Sequence, residues 1–286
     1  MNKDLAVFIM VHGRPKRMKT YHTLRKQGYT GKIFLVADDL DETRSEYQEI
    51  YKDEVLVFDK KKAAKELDAG DNSGDLRSTL FSSNTIPKLA KEQGYKYFFI
   101  MCDDYDWWGY KFDSELKYKD NKVKNLDKLF AHLLEFYKSI PAKTVAFAQG
   151  GDFIGGRKSS DIKQLKLKRK AMNTFLCSTE RPFKFLGRLN EDVTTYVRLG
   201  STGDLFFTIP NVMINQQPTL QVAGGLTDVY LEYGTYVKSF MSVMYNPSSV
   251  KIYELGSKNK RIHHQVSWNN AVPKILNEKY KKNGTK

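Results

Sequence analysis

Two cysteines in 286 residues, Cys102 and Cys177, are too few for a disulfide framework, and their spacing excludes a CxxC metal or redox site. Long apolar runs are also missing. The first apolar stretch, residues 5–11, is far short of a bilayer-spanning helix. It leads straight into His12-Gly13-Arg14-Pro15-Lys16-Arg17 with no small-residue cleavage site, which is the pattern of a first β-strand and not of a signal peptide. Nothing else approaches a membrane span, and the expectation is a cytoplasmic protein with no membrane contact. Internal repeats and a recognisable linker are absent too, so a single domain is expected over residues 1–286. Acidic side chains are the scarce charge: 33 Asp and Glu face 47 Lys and Arg, a net charge of +14. Such an excess concentrates anions around the chain and favours nucleic acid or an anionic surface as partner, the alternative being a solvated lysine-rich exterior.

What is present is globular material, with 41% hydrophobic and 13% aromatic residues. Residues 5–11, 32–37, 55–58 and 95–101 are apolar runs of strand length, the signature of strands buried on both faces of a sheet. Between them, helical stretches are predicted from Pro15 to about Lys26, in the Lys/Ala-rich segment ending near Ala69, and over residues 77–93 with Gly94 as the stop. The alternation predicts an α/β fold with a parallel or mostly parallel sheet covered on both sides. A polar stretch, residues 111–125, then leads to a helix over residues 126–137 capped by Asn125. A strand at residues 144–147 and a glycine-rich loop at residues 150–157 follow. Beyond them short strand-like pieces and loops are expected, ending in a basic tail at residues 281–286. The front, residues 1–108, would bind a nucleotide-bearing ligand and the rear, residues 109–280, a second substrate.

Ligands of open α/β sheets sit at the carboxyl ends of the strands. Three polar features fall there: His12-Gly13-Arg14, Asp38-Asp39 and Asp103-Asp104-Tyr105-Asp106. Asp104 and Asp106 lie two apart, so an extended backbone sends both carboxylates to one side, a hard-oxygen pair suited to Mg²⁺ or Mn²⁺. The competing reading is an acidic turn with its carboxylates in water. Glu191-Asp192 offers a general base, or else the acidic first turn of a helix. His263-His264 could supply an imidazole ligand or lie on the surface. The run from Lys163 to Lys170 alternates leucines with Lys166, Lys168, Arg169 and Lys170, which would present a cationic row to a polyanion or to solvent.

The order of these segments carries a resemblance. A strand with a Gly-Arg-Pro turn, a strand with Asp-Asp, a helix over residues 77–84, an apolar strand with DxD, Asn190-Glu191-Asp192-Val193-Thr194 and a C-terminal His263-His264 segment together resemble the GT-A type nucleotide-sugar glycosyltransferases. More narrowly, the chain is similar to the TET-associated, phage-type DNA-base glycosyltransferases. The resemblance implies a GT-A-like, Rossmann-related mixed sheet with helices on both faces. It implies a divalent ion on Asp104 and Asp106 with His264 as third ligand. His12, Arg14, Asp38, Asp39, Arg77, Asn84, Asp103 and Asp104 would hold a UDP-sugar, and Asp192 or Glu191 would be the base. The implied acceptor is a hydroxymethylpyrimidine such as 5-hydroxymethylcytosine in DNA, flipped out of the helix and stacked on an aromatic such as Trp107 or Trp108, side chains that equally suit the sugar. Lys166, Lys168, Arg169 and Lys170 would contact the DNA backbone, and the setting would be the host cytoplasm for a phage-encoded enzyme. A saccharide or protein acceptor, and a metal-dependent nuclease or nucleic-acid-binding module, are the alternatives.

Overall fold

The computed structural model describes residues 2–115, 117–150, 170–216, 226–255 and 260–271. Strands β1 (Leu5–Met10), β2 (Lys32–Asp38), β3 (Val55–Phe58) and β4 (Tyr97–Met101) are parallel and lie in the order β3-β2-β1-β4. Helices α1 (Lys19–Lys26), α2 (Arg44–Tyr51), α3 (Lys60–Lys65) and α4 (Leu80–Glu92) connect them. The continuous apolar runs have a plain cause. Leu5, Val7 and Ile9 of β1 enter one core layer, while Ala6 and Phe8 enter the other, and β2 and β4 divide in the same way.

The chain continues through β5 (Tyr105–Phe112), β6 (Tyr118–Lys122), α5 (Leu126–Ser139), β7 (Thr144–Gln149), β8 (Phe175–Ser178), α6 (Glu191–Ser201) and β9 (Phe206–Gln216). These strands extend the same sheet to β3-β2-β1-β4-β8-β7-β9-β5-β6, with antiparallel pairs at β4/β8, β7/β8, β5/β9 and β5/β6. One nine-stranded sheet therefore runs through both halves of the sequence. Among the described residues, α1 and α5 cover one face through Leu24, Phe130 and Leu134, and α4 and α6 cover the other through Phe81, Ile86, Val193 and Val197. Phe99 and Phe130 meet with ring centroids 4.5 Å apart, and each such fully buried side chain contributes about 1.5–3 kcal/mol. Helices α7 (Leu226–Tyr233) and α8 (Val237–Tyr245) and the hairpin β10 (Val250–Leu255)/β11 (Arg261–Val266) pack beside α6.

Several sequence expectations need correction. The first helix begins at Lys19 and not at Pro15, because residues 14–17 form a turn closed by Arg17 N–H donating to Arg14 O. It ends as foreseen at Gly28 (φ +85°), where a Cβ would also approach Lys124 O to 3.1 Å. Asn125 caps α5 as expected, its Oδ1 accepting from Lys128 N–H at 2.9 Å. The polar stretch from residue 111 contains β6, a strand that hydrophobic patterning does not signal. The rear half is not mainly strand-like pieces: it holds α6, α7, α8 and the eleven-residue β9. In α6 the β-branched Val193, Thr194, Thr195 and Val197 argue against a helix locally, and their burial overrides that preference. Among the described residues no helix is long and apolar enough to cross a membrane.

Candidate active site

The three polar strand ends converge at the carboxyl edge of the parallel strands, as the topology requires. Arg14 follows β1 and Asp103 follows β4, the strand beside it; their side chains meet at 2.8 Å, Nη2 donating to Oδ1. Asp103 is 4% exposed, and its Oδ2 has no partner among the described residues; neither has Arg14 Nε. Burial pushes the Asp103 carboxyl up to about 6 against the pull of Arg14. A buried acceptor and a buried donor left side by side are costly unless a ligand completes them. A hydroxyl group can serve both, donating to Oδ2 and accepting from Nε.

Asp104 and Asp106 flank the entry into β5. A β-bulge against β9 falls between Tyr105 and Trp107, and bulges re-aim the side chains they displace. Asp104 accepts from Gln216 Nε2 at 3.0 and 3.3 Å, and Asp106 accepts from Lys19 Nζ at 2.9 Å. Burial raises the Asp104 carboxyl, and the charge of Asp106 adds to the rise, so the two acids lie within electrostatic reach of each other. Cys102 is half-buried at the end of β4. Burial, then Asp104, Asp103 and Glu191, drive its thiol upward, which brings Glu191 to this same strand end.

Glu191 and Asp192 occupy the first turn of α6, the position that the helix-dipole reading foresaw. That placement does not make them ordinary capping acids. Both residues are half-buried, and burial with mutual repulsion pushes the Glu191 carboxyl up to about 7, although Thr79 Oγ1 donates to its Oε1. Burial also raises Asp192, opposed by the nearby Lys170 and Lys238. Desolvation here outweighs the favourable dipole. The stability consequence has a definite sign. An acid raised in the folded state costs nothing below its unfolded value near 4.5, and its penalty grows with pH until it is complete above about 7. Glu191→Gln removes the charge and keeps the acceptor for Thr79. Thermal denaturation at pH 8 should therefore show a gain of up to about 3 kcal/mol, or about 2–4 °C per kcal/mol, vanishing near pH 4. An unchanged or lower melting temperature at pH 8 would contradict the assignment.

His264 lies on β11 beside this acid pair. Its Nδ1 accepts from Asn190 Nδ2 at 3.3 Å, and the same amide donates to Ser242 Oγ at 2.6 Å. Burial, then His263, Lys238 and Lys170, push the imidazole down to about 3. It is a neutral ring facing α6 and α8. The structure does not gather His264 with Asp104 and Asp106, and among the described residues no three His, Cys, Asp or Glu side chains form a metal-holding group. His264, the expected third ligand, lies instead beside Asn190 and, through that amide, Ser242.

Other expected contacts also change. Arg77 donates to Asp75 Oδ2 at 2.8 Å and Glu232 Oε2 at 2.7 Å, which ties α7 to the preceding loop. Asn84 holds the backbone of Phe185, accepting from its N–H at 2.9 Å and donating to its carbonyl at 3.1 Å. Each ties one segment of the chain to another. Trp108 is fully buried against Tyr105 and Phe130, and Gln27 brackets its backbone N–H and carbonyl at 2.8 Å each. It cannot stack on a substrate. Trp107 stays partly exposed beside Phe112, Ala148 and Met213. Asp38 and Asp39 lie at the end of β2, with His12 Nδ1 3.2 Å from Asp38. Of the basic run, Lys170 reaches Asp192, while Lys166, Lys168, Arg169 and the loop at residues 151–157 lie outside the described residues. Sequence reasoning missed Gln216, Lys238 and Lys60; each acquires its role only through pairing with an acid distant in the chain.

Comparison with known proteins adds the following. The model of the family described as TET-Associated Glycosyltransferase matches residues 5–225. No curated protein matches the chain in sequence. Among solved structures, a mannosyltransferase from Pyrobaculum calidifontis in complex with GDP-Man and Mn²⁺ is similar at 10% identity and a TM-score of 0.45, over 85% of this chain and 73% of that one. Glucosyl-3-phosphoglycerate synthase from Mycobacterium tuberculosis, in complex with Mn²⁺, UDP-glucose and phosphoglyceric acid, is similar at 10% identity and a TM-score of 0.42, over 91% and 89% of the two chains.

Proposed function

The chain belongs to the TET-associated glycosyltransferase family, and from that premise we propose that it moves a sugar from a UDP-linked donor to the hydroxymethyl oxygen of a modified pyrimidine in DNA, with Mn²⁺ or Mg²⁺ held by Asp104 and Asp106. The observation that carries this reading is the meeting, at one end of the sheet, of two incomplete charged groups. These are the Arg14–Asp103 pair, with an orphaned donor and acceptor, and the desolvated Glu191–Asp192 pair. The first suits a hydroxyl-bearing, phosphate-bearing donor and the second a proton acceptor.

The residues fit a divalent ion in part. Asp104, desolvated, accepts from the neutral Gln216 and Asp106 accepts from the cationic Lys19, and Mg²⁺ or Mn²⁺ asks for no more than one or two protein carboxylates beside phosphate oxygens and water. A bound ion would supply charge neutralisation for the departing diphosphate. The chain's own groups do the rest. Arg14 and Asp103 orient a donor hydroxyl through Nε and Oδ2. Asp192 takes the proton of the acceptor hydroxymethyl group as its oxygen bonds to the anomeric carbon and the bond from that carbon to the diphosphate oxygen breaks. Thr79 holds Glu191 beside it, and burial raises the basicity that Asp192 needs. Lys170 and Lys238, with the net charge of +14, favour the polyanionic acceptor.

Incubating the protein with nucleotide sugars, Mn²⁺ and duplex DNA carrying hydroxymethylated or unmodified pyrimidines tests the reading by mass spectrometry of the nucleosides. The expected product carries one sugar on the hydroxymethyl group only, with yield falling steeply as salt rises. Transfer to a saccharide or protein acceptor with none to DNA would overturn the acceptor assignment. DNA cleavage without any sugar donor would overturn the whole reading.

A further inference from the structure

At the end of β2 the carboxylates of Asp38, Asp39 and Asp41 all have internal partners. Asp38 Oδ2 accepts from His12 Nδ1 at 3.2 Å and from Lys60 Nζ at 3.0 Å, and its Oδ1 accepts from Leu40 N–H at 3.2 Å. Asp41 Oδ2 accepts from Gly13 N–H at 2.9 Å, and its Oδ1 from Thr43 N–H and Oγ1 at 2.8 and 2.7 Å. Asp39 Oδ1 accepts from Lys60 N–H at 2.8 Å. The acids that the sequence offers as donor-reading groups are thus largely occupied in holding one another. Asp38, Asp41 and Lys60 are buried, whereas the His12 side chain is 47% exposed. With Nδ1 turned to the acids, Nε2 on the far side of the ring is the nitrogen that a ligand can reach.

The charges around His12 determine what kind of ligand that nitrogen suits. Asp38 lies at hydrogen-bond distance, Asp41 3.7 Å away, and Lys60 behind Asp38; Asp103, paired with Arg14, also feels the ring. A protonated His12 and Lys60 face three carboxylates, Asp38, Asp39 and Asp41, so the group as a whole carries no net positive charge. Such a cluster with one strong N–H donor is poorly matched to a phosphate, which wants net positive charge, and better matched to a neutral carbonyl oxygen. The hydrogen bond to Asp38, with the charges of Asp41 and Asp38, holds the ring protonated above the ordinary histidine range, against burial and Lys60. Within the nucleotide-sugar reading on which this inference rests, we propose that His12 is the donor-specificity residue, its Nε2–H donating to a keto oxygen of the nucleobase. Nucleotide sugars of uracil or guanine are therefore accepted, and those of cytosine or adenine, which carry an amino group at the matching position, are rejected.

The test is binding of UDP-, GDP-, CDP- and ADP-glucose to the full chain with Mn²⁺ by calorimetry, at about pH 6 and about pH 8.5; none of these ligands has a terminal phosphate that titrates in that range. The wild type should prefer the keto bases by about 10-fold or more at the lower pH, and the preference should shrink as His12 loses its proton. His12→Gln places an untitratable amide N–H near Nε2 and should keep the preference without its pH dependence. His12→Leu should lose the preference and, because Asp38 keeps Lys60 and Leu40 N–H as partners, should lower the melting temperature only modestly. Equal wild-type affinity for keto and amino bases, or an undiminished preference in His12→Leu, overturns the proposal and leaves the donor reading standing. Failure of every nucleotide sugar to bind overturns both.

Discussion

Replacing Asp192 by asparagine should lower the rate of sugar transfer by about 10²–10⁴-fold, the usual contribution of a positioned general base. The substitution preserves shape and the hydrogen bond from Val193 N–H at 2.7 Å, so the melting temperature should not fall. The pH profile separates a base from a structural acid. Burial raises Asp192, and Glu191 beside it is pushed up to about 7. A base works only when ionised, so wild-type turnover should climb with pH through the neutral range and level off above about 7. Because the two carboxyl groups repel each other, that limb belongs to the pair and not to either residue. In Asp192→Asn the repulsion is gone, and the residual rate should be flat or should climb at lower pH. A variant with wild-type turnover would eliminate Asp192 as the base and leave its desolvation without a catalytic purpose.

Asp106→Asn should reduce transfer by about 10²-fold or more, because an amide cannot supply the anionic oxygen that a hard divalent ion requires, and charge neutralisation at a leaving diphosphate amounts to several kcal/mol. Its carboxylate pairs with the half-exposed Lys19, and an ion pair at such a site contributes about 0–1 kcal/mol. Folding should therefore be near normal while activity is lost. Titration calorimetry with Mn²⁺ and the nucleotide sugar reads the cause directly: metal-dependent donor binding should weaken in Asp106→Asn and be untouched in Asp192→Asn. Full activity of Asp106→Asn, or of the wild type in excess EDTA, would remove the ion from the proposed reaction.

The contrast between these two acids and the other expected site residues shows how much of the site could be read along the chain. Arg14, Asp38, Asp39, Asp103, Asp104 and Asp106 were legible because each follows an apolar run, and the end of a buried parallel strand is where a ligand must sit. Arg77 and Asn84 follow no such rule: Arg77 joins the carboxylates of Asp75 and Glu232, and Asn84 holds the backbone of Phe185. Trp107 and Trp108 are adjacent and chemically identical, yet β5 sends one to the sheet's interior and leaves the other partly exposed, a difference set by strand register and not by composition. His264 shares one hydrogen-bonded amide with Ser242, from a helix that the sequence pattern does not announce.

The sequence alone determined the alternation of buried strands and helices, the carboxyl edge where their polar ends meet, and the scarcity of acids that makes the clusters at Asp103 and Glu191 conspicuous. These are local properties, written in the period of apolar residues and in the positions of the residues that interrupt them. Only the tertiary structure decided which charges face each other. Glu191-Asp192 reads along the chain as an ordinary first helical turn; it becomes a desolvated, mutually repelling pair because α4 brings Thr79 against it and because α8 and residue 170 set Lys238 and Lys170 beside it. Likewise His12 becomes a poised donor through Asp38, Asp41 and Lys60, which lie 26 or more residues further along the chain. Desolvation and Coulomb interaction depend on distance in space, which no local pattern encodes.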